Sequence, residues 1–172
     1  MKVVNVHQRL LHASADQVGE LLATLGTPED RLWPGNGWPR MRLDRPLAVG
    51  AQGGHGPIRY RVEAWEPGRS VRFRFTQQGV DGWHAFEVLD GTAQHCVLEH
   101  RLEARFTGKA LLGWALAIRW LHDACVEDLL SRAQAAVGHT PRPVRWSQWV
   151  RLLMAVLSRL PRRTKRGAHA GA

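Results

Sequence analysis

The sequence predicts an α+β fold in which an antiparallel sheet precedes one long helix, with an extra amphipathic helix near the C-terminus. Three patterns predict it. Residues 58–106 alternate apolar and charged side chains between glycine-containing turn signals, which is typical of a meander of strands. After Gly108 a helical hydrophobic period continues to about Val137. Residues 144–160 have a second helical period, combined with arginines and without an acidic residue.

The positive charge of the chain is concentrated in its last part. The whole chain has 24 basic and 15 acidic residues, a net charge of +9. Residues 138–172 contain eight of the basic residues and no acidic one, which leaves +1 for residues 1–137. Any attraction to phosphate must therefore act through the tail. We predict one domain over 1–137 and a basic amphipathic extension over 138–172, with a helix at about 144–160 and a disordered end at 161–172.

The N-terminal segment predicts one strand and two short helices. Residues 3–12 are rich in branched aliphatic side chains, which favours a strand. Ser14 is a suitable N-cap for a helix whose apolar residues recur at helical spacing until Gly26 ends it. A second short helix is expected to begin with Thr27 as its cap and Pro28 at its first position.

Residues 34–46 are too rich in glycine and proline for regular structure, so they predict a loop. Large apolar side chains nevertheless occur in this loop and just before it, namely Trp33, Trp38 and Met41. Side chains of this size are expected to cover an apolar surface of the domain.

The meander places alternate residues on one covered face of the sheet. Two histidines, His84 and His100, fall in the same phase as the apolar residues, so both are expected to point at whatever the sheet encloses. Each is either a core histidine satisfied by a neighbour or a group aimed at a ligand. The apolar residues of the covered face are Ile58, Tyr60, Val62, Val71, Phe73, Phe75, Phe86, Val88, Leu98, Leu102, Ala104 and Phe106.

The long helix has an apolar stripe and a second apolar strip on its far side. His122 falls within the stripe and becomes a third polar group aimed inward. Arg119, Asp123 and Glu127 lie opposite the stripe. The far-side strip is formed by Leu112, Leu116 and Trp120, which predicts a helix segment covered on both sides. The stripe itself is formed by Leu111, Trp114, Ile118, Leu121, Cys125 and Leu129.

Three segments resemble the START and polyketide cyclase superfamily, often called SRPBCC. They are "LLHASADQVGELL" (10–22), "VEAWEPGRSVRFRF" (62–75) and "LEHRLEARFTGKALLGWALAIRWLHDACVEDLL" (98–130). The resemblance lies in the order and spacing of the predicted strands and helices, and it covers about residues 3–137. Its usual aromatic residue after the first-helix valine is Gly19 here, which is expected to enlarge the space beneath that helix.

The resemblance implies a helix-grip fold, a curved antiparallel sheet wrapped around a long C-terminal helix with a cavity between them. Members of this superfamily bind lipids, sterols, quinones, plant hormones or polyketides, and a minority catalyse cyclisation or dehydration. Fold alone does not select among these functions. The selection has to come from the residues of the cavity.

The expected cavity wall is apolar and aromatic, with a few polar groups. The polar candidates are His84, His100 and His122, with Tyr60. The wall predicts binding or carriage of a small hydrophobic or aromatic molecule such as a lipid, quinone or polyketide-like compound. The alternatives are a cyclase or dehydratase that uses the three histidines as catalytic groups, and a protein interaction module with a filled core. The apolar wall residues are Trp33, Trp38, Met41, Tyr60, Phe73, Phe75, Phe86, Leu98, Trp114, Ile118 and Leu121.

Several function classes are disfavoured. The sequence has no nucleophile elbow, phosphate loop, HExxH motif or acidic pair in the covered phase, so binding is favoured over catalysis. The histidines occur singly, so we expect no metal site and no cofactor. Cys96 and Cys125 form no CxxC pair and are typical of a reducing compartment. The N-terminus meets polar Asn5 and His7 too early for a signal peptide, so a cytoplasmic location is expected, peripheral to the inner face of the membrane if the tail binds lipid.

The tail helix has one apolar face, which must be buried against something. Arg145, Arg151 and Arg159 lie on the opposite face. An anionic membrane is one possible partner, and the strip Leu112, Leu116 and Trp120 of the same domain or of a homodimer mate is another. Nucleic acid is disfavoured, because stacking on bases does not need a continuous hydrophobic face. The apolar face is formed by Trp146, Trp149, Val150, Leu153, Met154, Val156, Leu157 and Leu160.

Overall fold

The computed structural model describes residues 1–35, 37–89 and 91–159. Within them the strands are β1 (Lys2–Leu11), β2 (Arg42–Leu43), β3 (Gln52–His55), β4 (Ile58–Glu66), β5 (Ser70–Phe75), β6 (Val80–Leu89) and β7 (Cys96–Phe106). The helices are α1 (Ala15–Ala23), α2 (Gly108–Gly113), α3 (Arg119–Ala136) and α4 (Gln148–Arg159), with a π-helical turn (Trp114–Ile118) between α2 and α3. The strands form one antiparallel sheet in the order β1-β7-β6-β5-β4-β3-β2. The predicted α+β class and the order of its elements are confirmed.

The N-terminal helix begins as its capping residues predict. The Ser14 hydroxyl accepts a hydrogen bond from the Gln17 backbone N–H at 3.3 Å, and the Gln17 side chain accepts one from the Ser14 N–H at 3.0 Å. This reciprocal pair is a capping box. The expectation of extra space at Gly19 is wrong, because the backbone of Gly68 in the β4–β5 turn occupies it and a Cβ atom at Gly19 would collide there.

The short helix expected after Thr27 does not form. Its predicted cap instead donates its hydroxyl hydrogen to the Thr24 carbonyl at 2.8 Å. The Asp30 carboxylate accepts hydrogen bonds from the backbone N–H groups of Gly26, Leu32 and Trp33 at 2.7–2.8 Å. A carboxylate that binds three amides at once holds the chain in turns.

The sheet has two short strands that the hydrophobic pattern did not predict. β3 has the sequence Gln-Gly-Gly-His and β2 has only two residues. A Cβ atom at Gly53 or Gly54 would collide with the carbonyl groups of the neighbouring strands. Glycine therefore permits close pairing here, although it has a low intrinsic preference for strands. The predicted meander of β4 to β7 is confirmed.

The middle of the inner face of β1 is polar, whereas Val3 and Leu11 near its two ends are apolar and pack on the core. Val4, Val6 and Leu10 are exposed, whereas the alternate residues Asn5, His7 and Arg9 face α3. This phase is the reverse of the usual one, in which apolar residues face the core. It follows that the first strand contacts the long helix through hydrogen bonds.

The α3 side of this contact is formed by acidic residues that the helical wheel placed away from the core. Asp123 accepts a hydrogen bond from the Asn5 amide at 3.0 Å, and Glu127 accepts one from the Arg9 guanidinium at 2.7 Å. Gln134 also accepts one from Arg9, at 2.6 Å. The acidic face of the helix therefore contacts β1, while Asp123 and Glu127 remain partly exposed.

The long helix runs over the predicted residues, but its far-side strip is uncovered. Leu112 and Leu116 are 62% and 64% exposed, and Trp120 is 39% exposed. The Trp149 indole donates a hydrogen bond to the Leu116 carbonyl at 3.0 Å, at the edge of this strip. The apolar side chains of the strip are therefore left without a cover in the chain as described.

The tail helix α4 begins at Gln148, later than the predicted 144, and packs on the domain. Val150 is 4% exposed and belongs to the same hydrophobic core cluster as the sheet residues, with Trp146 and Met154 packed against it. Leu160 and the predicted disordered end at 161–172 lie outside the described residues. The division at residue 138 stays a prediction, and the packing of Val150 shows that α4 shares the core of the preceding residues.

Replacing Val150 by alanine is expected to lower the free energy of unfolding by about 2 kcal/mol, because two buried carbons are lost and a cavity is left. Val156→Ala removes the same carbons from the same helix at a position that is 50% exposed. This control is expected to change stability by less than about 0.5 kcal/mol. Urea unfolding measures both. Equal midpoints for the two variants would show that α4 is not part of the cooperatively folded unit.

Candidate functional site

A cavity of about 240 Å³ lies between the inner face of the sheet and the long helix. Its wall is mostly apolar. Pro39, Gly56, Pro57 and Leu157 of α4 are wall residues that are exposed to solvent, so the cavity is open. An open cavity is the arrangement expected for a ligand site and does not fit the alternative of a filled core.

The structure brings most of the predicted site residues to the cavity wall. Tyr60, Phe73 and Leu98 are instead completely buried behind it, and Met41 is buried in the loop before β2. The Tyr60 ring packs against Phe73 at 5.0 Å between ring centroids, so these two fill space rather than bound it. The predicted residues that do line the cavity are Trp33, Trp38, Phe75, His84, Phe86, His100, Trp114, Ile118, Leu121 and His122.

Other residues line the cavity that the sequence pattern did not indicate. The most informative is His55, whose Nδ1 lies 3.1 Å from the Tyr60 hydroxyl and whose ring centroid is 4.7 Å from that of Trp33. It was missed because β3 carries no apolar alternation. The wall also includes Gln77, Val80, Ala117 and Val126, which no pattern indicated. Leu102, Phe106, Cys125 and Leu129 are predicted to face inward and Leu157 to lie on the apolar face of the tail helix, but none of these is predicted to line the cavity.

The histidines of the inner sheet face and α3 form a contiguous row. The ring centroids of His7 and His122 are 6.2 Å apart, those of His122 and His100 are 5.0 Å apart, and those of His100 and His84 are 5.5 Å apart. His84 Nδ1 and His100 Nε2 are within hydrogen-bond distance at 3.3 Å. The strand and helix periods predict three inward histidines, and the structure places them next to one another and next to His7.

Three imidazole nitrogens of this row are buried without a hydrogen-bond partner, namely His84 Nε2, His100 Nδ1 and His122 Nε2. A buried polar atom without a partner costs about 1–3 kcal/mol. In the hydrogen-bonded pair of neutral imidazoles, one ring donates and the other accepts. Whichever donates, the two remaining nitrogens of His84 and His100 are one donor and one acceptor. The pair therefore offers one of each.

The end of the row at β1 is charged. Asp123 Oδ1 lies 3.3 Å from His7 Nε2 and 3.4 Å from His122 Nδ1. Glu127 Oε1 lies 2.8 Å from His7 Nδ1. His7 is therefore held between two carboxylates of α3.

A second shared carboxylate joins the cavity wall to the tail. The indole N–H of Trp38, a wall residue, donates to Asp128 Oδ2 at 2.8 Å, and the indole N–H of Trp146 donates to the same oxygen at 3.0 Å. The two rings meet at 5.3 Å between centroids. Trp146 thus packs on the domain, whereas Trp149 is exposed, Leu153 is half-buried, and Arg145, Arg151 and Arg159 are exposed.

Solved structures of other proteins have the same architecture. Norcoclaurine synthase from Thalictrum flavum superposes with a TM-score of 0.60 at 14% identity, over 83% of this chain and 90% of its own. A protein from Thermobifida fusca gives 0.60 at 14% identity, over 82% and 99%, and XoxI from Bacillus cereus gives 0.57 at 18% identity, over 78% and 95%. The chain has a helix-grip fold. The predicted resemblance to the START and polyketide cyclase superfamily is confirmed at the level of fold.

No protein-family model and no curated protein matches the sequence of this helix-grip chain. Among the residues that the structure describes, no helix is both long enough and apolar enough to cross a bilayer.

Burial keeps the histidines of the helix-grip cavity neutral. It lowers the pKa of His84 and His100 well below the usual value, and lowers the pKa of His55 to about 3. The pKa of His122 is also lowered by burial, although Asp123 opposes the shift. The cavity wall therefore presents neutral imidazoles near pH 7.

At the charged end of the row, the pKa of His7 is shifted in the opposite direction, upward. The hydrogen bond with Asp123 raises the pKa of His7 despite its burial. Burial by itself would raise the pKa of the Asp123 carboxyl, but the hydrogen bonds with His122 and His7 hold it well below its usual range.

The depressed pKa values of His55 and His84 predict a loss of stability in mild acid. The unfolded chain binds protons on these histidines as the pH falls through 6.5, whereas the folded chain does not until a much lower pH. The stability contributed by each neutral histidine is therefore present above pH 6.5. It is expected to fall by about 1.4 kcal/mol per pH unit below it.

Urea unfolding at several pH values between 6.5 and 4.5 measures this slope. His84→Gln is expected to reduce the pH slope of stability by the contribution of one histidine, about 1.4 kcal/mol per pH unit. His95→Gln, at an exposed position, is expected to leave the slope nearly unchanged. A His84→Gln protein with the wild-type slope would contradict the prediction.

Proposed function

We propose that the protein binds a small apolar or aromatic molecule that carries a hydroxyl-like group. The observation that supports this is the pair of unpartnered nitrogens, His84 Nε2 and His100 Nδ1, on two residues of a mostly apolar cavity wall. A hydroxyl group both donates and accepts, so it matches the one donor and one acceptor that this pair offers. The rest of the ligand gains from burial against aromatic side chains.

The size of the cavity supports this ligand class, and so does the ligand content of a solved structure with the same fold. A volume of about 240 Å³ suits a compact molecule of one to three rings better than a long lipid chain. One norcoclaurine synthase structure contains dopamine and hydroxybenzaldehyde, which are small aromatic molecules with hydroxyl groups. The likeness is one of fold, and it supports the class of ligand rather than its identity.

The pair 2-naphthol and naphthalene tests the role of the hydroxyl group. His84→Phe is expected to weaken 2-naphthol binding about tenfold, because the hydroxyl loses a hydrogen-bond partner, and to change naphthalene binding less than twofold. Equilibrium dialysis of both compounds measures this. His95→Phe, at an exposed position, is the matched control. Equal loss of both compounds would show that the cavity wall does not recognise the hydroxyl group.

A cyclase- or dehydratase-type activity is a second candidate function. The row of neutral imidazoles supports it, because a neutral imidazole can accept a proton from a bound substrate and a neighbouring ring can pass it on. Native mass spectrometry of the untreated protein separates the two candidates. Carriage predicts a bound molecule that is recovered unchanged after incubation, whereas catalysis predicts a bound mass that changes with time, as by loss of water.

We also propose that the cavity opening faces an anionic membrane. The exposed strip of the long helix is formed by Leu112, Leu116 and Trp120. It meets the exposed face of α4 where the Trp149 indole donates a hydrogen bond to the Leu116 carbonyl. The α4 side chains of this surface are Trp149, Leu152 and Val156, which are 44%, 54% and 50% exposed. Leu157, which lines the cavity, lies on the same helix. An apolar patch at the opening of a cavity for an apolar ligand is suited to exchange with a bilayer.

The charges around this apolar patch favour an anionic bilayer over a neutral one. Arg119 lies over the Trp120 ring at 4.3 Å, and Arg145, Arg151 and Arg159 are exposed on and beside α4. Residues 138–172 contain no acidic residue. Each basic residue near an anionic surface contributes about 1 kcal/mol, and indole rings favour the headgroup region.

Cosedimentation with phosphatidylcholine–phosphatidylglycerol vesicles tests the membrane proposal. The full-length protein is expected to bind, and Leu116→Ser with Trp120→Ser is expected to reduce the bound fraction at least fivefold. Val4→Ser with Val6→Ser alters exposed apolar residues of β1 and is the control. Equal binding by all three proteins would contradict the proposal. A dimer without lipid that the Leu116→Ser change dissociates would assign the patch to a second copy instead.

A further inference from the structure

The contact between β1 and α3 contains a cluster that the ligand cavity does not explain. His7 of β1 and the adjacent pair His122 and Asp123 of α3 each offer a ligand atom, and these atoms all lie within 4.8 Å of one another. We propose that this cluster binds a divalent transition metal ion, with Zn²⁺ as the first choice. Two imidazole nitrogens and one carboxylate oxygen form a donor set that such ions prefer.

The distances fit a tetrahedral ion. Asp123 Oδ1 lies 3.3 Å from His7 Nε2 and 3.4 Å from His122 Nδ1. Ligands at zinc bond lengths of about 2.0–2.1 Å in a tetrahedron are about 3.3–3.4 Å from one another. Two edges of a zinc tetrahedron are therefore already present between side chains from two different elements.

The surrounding hydrogen bonds orient His7 as a metal ligand. Glu127 Oε1 lies 2.8 Å from His7 Nδ1, and the Arg9 guanidinium donates to Glu127 Oε2 at 2.7 Å. A carboxylate that accepts from one ring nitrogen leaves the lone pair of the other nitrogen for a metal, which is the usual arrangement behind a metal-bound histidine. That other nitrogen, His7 Nε2, is the one that faces Asp123.

A fourth ligand is available from Asn5. Its Oδ1 atom is buried without a partner, and its Nδ2 atom lies 3.0 Å from Asp123 Oδ1. The two atoms of an amide are interchangeable by a half-turn of the group. The turned amide would place its oxygen where Nδ2 now lies, 3.0 Å from Asp123 Oδ1, a spacing that two ligands of one metal ion can have.

The proposed metal ion acts on the cavity through His122. Coordination by Nδ1 fixes the proton of this ring on Nε2, the atom that is buried without a partner on a residue of the cavity wall. The proposal reverses the expectation from sequence that no metal site exists. It does not depend on the identity of the cavity ligand.

Zinc titration of the full-length protein, stripped with a chelator and dialysed, tests the proposal. One Zn²⁺ per chain is expected to bind with a Kd below about 1 μM at neutral pH, measured against a chromophoric chelator. His7→Gln and Asp123→Asn are each expected to weaken binding at least thirtyfold, and Glu127→Gln about tenfold through the orientation of His7. Asp123→Asn conserves shape, and circular dichroism checks that each variant is folded.

The control is a second histidine pair. His12 and His139 lie 5.3 Å apart between ring centroids at an exposed position, so His12→Gln removes a histidine without touching the cluster. Unchanged affinity in that variant, with loss in the other three, supports the proposal. Failure to bind Zn²⁺, equal loss in His12→Gln, or histidine NMR signals showing that His7 keeps both ring protons in excess Zn²⁺ would overturn it.

Discussion

The long helix is attached to the middle of the first strand through hydrogen bonds and ion pairs. Asn5, His7 and Arg9 supply one side, and Asp123 and Glu127 supply the other. Such contacts have fixed partners and directions, so they set the rotation of α3 about its axis and its height above the sheet.

Two polar residues of the cavity wall, His100 and His122, adjoin the contact between β1 and α3. His100 is paired with His7 across β1 and β7, and His122 reaches the row from the helix. Each ring has apolar or aromatic neighbours on its other sides, which is why burial keeps these imidazoles neutral. An apolar space with a few unpartnered polar atoms binds selectively, because a ligand that leaves those atoms unpaired gains much less.

The parts of the fold that local patterns determine could be predicted from the sequence. The meander, the Ser14 cap and the long helix follow from periodicity and capping alone. The polar inner face of β1 could not be predicted, because its alternation is the reverse of the usual one and only the tertiary contact reveals it. β3 was missed because glycine has no side chain to signal a strand. The helix expected at Thr27 failed because Asp30 satisfies the local amides in turns.

Local patterns also explain why only part of the site could be predicted. Residues on the inner face could be assigned by phase, so His84, His100 and His122 were identified, but phase does not separate the wall of a cavity from the filling behind it. Tyr60 and Phe73 share the phase of the wall residues and lie deeper. Nothing in the sequence links His7 to the site, because its partners in α3 lie more than one hundred residues away.

The oxygen of Asp128 that accepts from both Trp38 and Trp146 places the cavity wall and the tail under one constraint. A movement of the tail that withdraws the Trp146 indole changes the electrostatic surroundings of Trp38. By reciprocity, a guest that shifts Trp38 changes the free energy with which the tail is held. Because both indoles bind the same oxygen of Asp128, any coupling between ligand binding and the tail would pass through this carboxylate.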